Sequence, residues 1–284
     1  MILIKRFILK IKEDGCTGLA SMLAFNFFMV IPVAAIMVVA ILGELPFLDL
    51  TGSILNQLEG VIPDEALDLI IDIVDDALMD GGGILVISLF GTLYVLSNAY
   101  AGIIGSLNTI YGVTETRPWI VVRFRALIMS FVAASFLLAS FAMVVIAPLV
   151  ADALSDTAGA QQIAATWIDR MRWPAIIILA VVGIESSYKF GPNGGPRWRL
   201  VSPGTLFSTG AWVVATWLFG FYVNNFTSYD RLYGTLGTVV ALLILLWISS
   251  LIFLVGAEVN SFWSRSSRVR KMLPEQLRSG HPDV

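Results

Sequence analysis

The stretch TLGTVVALLILLWISSLIFLVGA at 235–257 carries no charged side chain and is followed by Glu258, Arg265, Arg268, Arg270 and Lys271. About 20 apolar residues in a helix cross a hydrocarbon core roughly 30 Å thick. Lys and Arg are retained in cytoplasmic flanks. The stretch therefore reads as a transmembrane helix whose C-terminal end faces the cytoplasm.

Working outward, five further apolar runs lie at 19–42, 83–107, 126–150, 173–189 and 203–223. The gaps at 1–18, 108–125, 185–202 and 258–284 hold 15 of the 18 Lys and Arg residues, and the remaining gaps hold Arg170, Arg172 and Arg231. This alternation predicts six spans with both termini cytoplasmic. The fourth span is the shortest in apolar terms, from Pro174 to Ile184. Removing it would place the basic C-terminal tail outside, so it is kept. The expected fold is an all-α, six-helix membrane bundle over 19–263, between a basic helix at 1–18 and a polar tail at 264–284.

Composition agrees. Hydrophobic residues make up 57% of the 284, charged residues 14%, and the mean hydropathy is +0.82. Soluble domains carry about 25% charged residues, so much of this surface must face lipid. The one cysteine, Cys16, excludes an intrachain disulfide and a cysteine-based metal site. The one histidine, His281, lies in the polar tail. No phosphate-binding glycine loop, nucleophile elbow or paired-histidine motif is found. The expectation is no cofactor, no metal and no nucleic-acid partner.

At the N-terminus, Ile4, Phe7, Ile8 and Ile11 share a helical face, with Lys5, Arg6, Lys10 and Lys12 around the other. That pattern suits the surface of an anionic leaflet, and it reads as a retained helix rather than a signal peptide. Between the first two spans, residues 44–82 hold ten Asp or Glu and no Lys or Arg. Leu67, Ile70, Ile71, Val74 and Leu78 recur there at helical spacing, which predicts an acidic amphipathic external helix. Its acidic face is either plain solvated surface or a docking face for a partner.

Polar groups at membrane depth are costly and become candidate functional residues. At 1.5 Å per residue, Asn26 lies about 10 Å into the first span and Glu185 about 18 Å into the fourth. Asn98 lies about 22 Å below the external end of the second. Tyr188, Tyr233, Glu258 and Asn260 complete the set expected to line a polar cavity. For Asn26 and Asn98 the competing role is interhelical hydrogen bonding. For Glu185 it is an ion pair with Lys189, one turn on, or with a loop arginine. Glu258 could pair with Arg265 or a loop arginine in the same way. Pro32 is expected to kink the first span. Gly102, Gly105, Gly234, Gly237 and Gly256 are expected to permit close helix packing. Arg123, Arg125, Arg197 and Arg199 are placed to meet anionic headgroups.

YGTLG at 233–237, Leu246-Trp247 and GAEVN at 256–260 together resemble the signature of the BrkB/YihY family of bacterial inner-membrane proteins. PGTLF at 203–207, FYVNNF at 221–226 and LNTIYGVTETRP at 107–118 are similar to further parts of it. So is AFNFF at 24–28, followed by Pro32. The resemblance implies a polytopic protein of about six spans in the bacterial inner membrane. Members have carried the labels virulence factor and, mistakenly, ribonuclease BN, and some are linked to lipid handling. RNA cleavage calls for metal-binding or acid–base groups, and the cytoplasmic side offers few acids and no histidine cluster. The expected function is transport or lipid translocation through a polar cavity. The alternative is a scaffold that docks an envelope partner on the acidic helix, and an enzyme is the third choice.

Overall fold

The computed structural model describes residues 2–43, 83–155, 160–194, 201–225 and 235–272. The described residues form seven α-helices and no strand: α1 Ile2–Glu13, α2 Cys16–Gly43, α3 Gly83–Tyr111, α4 Trp119–Ser155, α5 Ala160–Phe190, α6 Pro203–Asn225 and α7 Thr235–Met272. The acidic segment 44–82, Tyr233, Gly234, Arg197 and Arg199 lie outside the described residues.

Helices α2 to α7 pack in a closed ring, each on the next and α7 back on α2, while α7 also touches α3 across it. Short α1 rests on α2 and α7. From α2 to α7 the shortest helix has 23 residues, about 35 Å at 1.5 Å per residue. Within the described residues, Trp119–Phe136, Pro203–Phe221 and Val239–Ser264 are long and apolar enough to cross a membrane. The pair Lys5–Glu13 and Cys16–Pro32 meets the same test only when taken together across its 51° bend.

The outer surface fits a lipid environment. Phe90, Tyr94, Trp119, Ile120, Phe124, Phe131, Trp217 and Phe221 are all exposed. No water-soluble domain would leave so many large apolar groups uncovered. Among the described residues, the buried side chains of Leu23, Ile104, Leu107, Ile110 and Leu254 belong to one cluster.

Local sequence explains two helix ends. α3 stops at Gly112, which takes φ +64°. The Gly112 amide donates to Thr109 O and the Val113 amide to Asn108 O, the paired bonds of a Schellman cap. α6 starts with Ser202 as its N-cap, whose Oγ accepts the Thr205 amide at 3.3 Å. Pro203 takes the first helical position, where its missing N–H costs nothing.

One boundary changes. α5 begins at Ala160, not at 173, because Asp169, Arg170 and Arg172 interrupt the apolar run without breaking the helix. α2 is helical through Pro32. A 51° bend separates α1 from α2, at the turn where Gly15 takes φ +64°.

Candidate functional site: a buried polar network at one end of the bundle

The α1–α2 turn, the loop at 112–118, residues 191–194, residues 201–202 and the C-terminal part of α7 all gather at the same end. The contacts that join them run between side chains far apart in sequence. Glu185, late in α5, is buried and receives the Ser202 amide at 3.0 Å and the Thr205 hydroxyl at 2.5 Å, both on its Oε2. Asn260 of α7 accepts the Gly204 amide at 2.7 Å and donates to Ser202 Oγ at 2.8 Å. One N-cap serine thus joins α5, α6 and α7. A buried carboxylate is tolerable only when such donors replace its lost hydration.

Tyr188 occupies the next layer. It is 1% exposed, donates to Phe253 O at 2.5 Å and shares a 2.8 Å hydrogen bond with Ser208. Ser208 also donates to Ile252 O at 3.1 Å. Gly256 is what lets these groups meet. A Cβ on it would sit 1.8 Å from Ser208 Oγ and 2.5 Å from Tyr188 Oη.

Glu258 points the other way. Two positions apart on a helix is a turn of about 200°, so Asn260 faces α6 while Glu258 faces α1 and α2. Glu258 is fully buried, with Cys16 Sγ and Lys10 Nζ each 3.9 Å from its Oε1. Lys10 also bonds Asp14. A cation from the N-terminal helix therefore faces a carboxylate inside the bundle, the pairing such burial requires.

A second cluster ties the loops. Arg117 grips Glu115 through two nitrogens, Nε to Oε1 at 2.7 Å and Nη2 to Oε2 at 2.6 Å. Asn108 donates to Glu115 at 2.9 Å and accepts the Asn193 amide at 2.7 Å. The Asn193 side chain donates to Thr114 O and Thr116 Oγ1. The Arg117 guanidinium beside Glu115 pulls its carboxyl from the usual 4.5 down to about 2.

The remaining expected residues separate. Asn98 is interhelical: its Oδ1 accepts from Arg123 Nη2 at 3.1 Å. Arg123 also lies over the Tyr94 and Trp119 rings, at 5.9 and 5.4 Å. Arg125 is half-buried and makes no hydrogen bond or ion pair with another described residue. Asn26 lies against Gly102, where a Cβ would come within 2.9 Å of its Nδ2. Gly105 has nothing within 4 Å and is not a close-packing position. Gly237 is half-buried on α7.

Glu185 is bonded by the α6 cap rather than by Lys189, whose Nζ lies over the Phe190 ring at 5.7 Å. Glu185 and Glu258 are both buried among the described residues. The residues passed over in the sequence were Ser202, Thr205 and Ser208, a three-residue hydroxyl spacing at the head of α6. Asn108, Glu115 and Asn193 were also missed, and single loop residues give no periodic signal.

Comparison with known proteins accords with this architecture. The family described as virulence factor BrkB matches residues 7–279. YfkH of Bacillus subtilis, whose name marks it as ribonuclease-like, is 28% identical over 227 residues, covering 80% of this chain and 81% of YfkH. A UPF0761 membrane protein of Xanthomonas campestris pv. campestris is 31% identical over 113 residues, 39% of this chain. A counterpart in Xanthomonas oryzae pv. oryzae is 29% identical over the same length. These matches span 26% of the Xanthomonas proteins' own length. No solved structure matches the chain. With apolar spans, an enclosed polar end and a match over nearly its whole length, the chain belongs to the BrkB family of membrane proteins.

Proposed function

We propose that this protein is a six-span transporter of the bacterial inner membrane that moves an anionic lipid or similar amphiphile. Its termini and its polar end lie on the cytoplasmic side. The charge alternation supports the orientation, and so does the convergence of Lys10, Arg117 and the Glu185 network at one end. The observation that carries the transport reading is the pair of carboxylates, Glu185 and Glu258, enclosed within a membrane bundle. Ionisable groups kept at such cost mark substrate or proton pathways.

In this reading the described conformation is closed at the polar end. Opening parts α6 from α7 and breaks the bonds of Ser202, Asn260 and Ser208. Arg125, without a protein partner among the described residues, and the loop arginines Arg197 and Arg199 attract the anionic headgroup. Mass spectrometry of lipids retained by the purified protein tests this, followed by proteoliposome flux of whatever is retained. Enrichment of an anionic lipid over its share of the membrane supports the reading. A lipid profile matching the bulk membrane counts against it.

One observation favours the scaffold reading instead: Glu185 and Asn260 are bonded wholly within the bundle. A scaffold would lose stability, but no flux, when these residues are changed. Ribonuclease activity, suggested by the name of YfkH, is not proposed, because the chain has a single histidine, in its polar tail.

A further inference from the structure

Helix α1 has two faces with different surroundings. Phe7 meets Phe262 edge-on at 6.0 Å and 80°, Ile11 packs on the buried core, and Lys10 reaches Asp14 and Glu258. These three side chains point into the bundle. At 100° per residue, Lys5, Leu9 and Lys12 fall on the opposite side, flanked by Ile8 on one edge and by Arg6 and Glu13 on the other. All six are exposed, Ile8 by 58% and Leu9 by 46%. The sequence pattern grouped Ile8 with Phe7 and Ile11 on the apolar face and Lys10 with the basic one; in the structure Ile8 is exposed and Lys10 reaches Glu258.

The position of this face matters as much as its chemistry. α1 breaks from α2 by 51° at the Asp14–Gly15 turn, just before the apolar run of α2 begins. A helix leaving the span axis at that point lies at headgroup depth. Ile8 and Leu9, with Lys5 and Lys12 between them and Arg6 alongside, fit a boundary with hydrocarbon on one side and phosphate on the other. An acidic protein would answer the cations and leave Ile8 and Leu9 uncovered. A zwitterionic headgroup layer would cover the aliphatics without drawing the cations.

We propose that the outward face of α1, formed by Lys5, Arg6, Ile8, Leu9 and Lys12, is a binding surface for anionic phospholipid. Ile8 and Leu9 sit at the acyl boundary and the three basic groups on headgroup phosphates. The inward Lys10 stays with Glu258, so lipid contact holds α1 over the buried carboxylate. The inference does not depend on whether the protein transports anything.

The test uses the full chain carrying L9C, labelled with an environment-sensitive fluorophore, in nanodiscs of phosphatidylcholine alone or mixed with phosphatidylglycerol. Cys16 is fully buried, so the label goes to position 9. The expected result is a blue-shifted emission in the phosphatidylglycerol discs, quenched by a spin label near the lipid headgroup. The variant K5Q/R6Q/K12Q removes the difference between the two discs, and K5R/K12R keeps it. Identical emission in the two lipid compositions overturns the proposal, with or without the variants. So does a triple variant that responds to phosphatidylglycerol as the unaltered charges do. A label that stays water-exposed in both discs and is shielded only by added polyglutamate assigns the face to an acidic protein, and also overturns it.

Discussion

Gly204 and Gly256 meet backbone to backbone where α6 crosses α7. A Cβ on Gly204 would lie 2.0 Å from Gly256 O, and one on Gly256 would lie 2.8 Å from Gly204 O. The crossing can be this close only because neither residue has a side chain. It sits beside Asn260 and Ser208, so the same contact that seals the helices also positions the polar network.

Gly256→Ala should therefore push α7 off α6 and destabilise the protein by about 1–3 kcal/mol, the usual cost of overpacking. Gly105→Ala provides the opposite sign. Gly105 is exposed on α3 with nothing within 4 Å, and alanine there should gain up to about 1 kcal/mol of helix propensity. Thermal unfolding in detergent, followed by fluorescence-detected size exclusion, separates the two.

Thr205→Val removes one donor to Glu185 while keeping the side-chain shape. It should cost about 1–3 kcal/mol, since a buried carboxylate loses a partner. Ser202→Ala should cost at least as much, because it removes the α6 N-cap and the Asn260 partner together. Equilibrium unfolding of the purified variants is the check. Equal stability of both to the unaltered chain would mean the network is not structural.

The Glu115–Arg117 clasp gives a pH dependence. Glu115 has its carboxyl lowered from 4.5 to about 2 in the folded protein, first by the Arg117 hydrogen bonds. A depressed carboxyl contributes stability above its unfolded pKa and loses it as pH falls. The window is thus from about 4.5 down to about 2. Unfolding temperatures measured across that range should fall more for the unaltered chain than for Glu115→Gln. The difference should be small and should shrink in high salt, because Glu115 sits in a solvent-facing loop.

Arg123→Lys should loosen α3 from α4. Lysine can bond Asn98 but cannot lie flat between the Tyr94 and Trp119 rings. A loss of roughly 0.5–2 kcal/mol is expected from the hydrogen bond and the ring contacts together. Asn98→Ala, which spares the rings, should cost less. Unfolding midpoints of the two variants, measured side by side, decide the order.

What could be read from the residue order follows the physics of each signal. Apolar length and charge bias act locally, so the α6 and α7 spans at 203–223 and 235–257 fall within the observed helices. Hydropathy reports lipid contact rather than backbone geometry, which is why the early turns of α5 were missed. For Glu185 the residue order offers Lys189 or a loop arginine as an ion-pair partner, because a partner one turn away is the one that helix geometry reveals. Its real donors lie on the next helix, and only the tertiary crossing of α5 and α6 brings them there. Gly102 and Gly105 look equivalent in sequence but differ in facing, since one meets Asn26 and the other meets nothing.

The transport reading rests on Glu185 being more than a structural anchor. The most direct measurement is flux of a headgroup-labelled anionic lipid in proteoliposomes, comparing the unaltered chain with Glu185→Gln. Glutamine keeps an acceptor oxygen for Ser202 and Thr205 but not the charge. The expected result is flux at least tenfold above protein-free vesicles, largely lost in Glu185→Gln while its unfolding temperature stays within a few degrees. Flux no greater than that of empty vesicles, or undiminished in a stably folded Glu185→Gln, would contradict it.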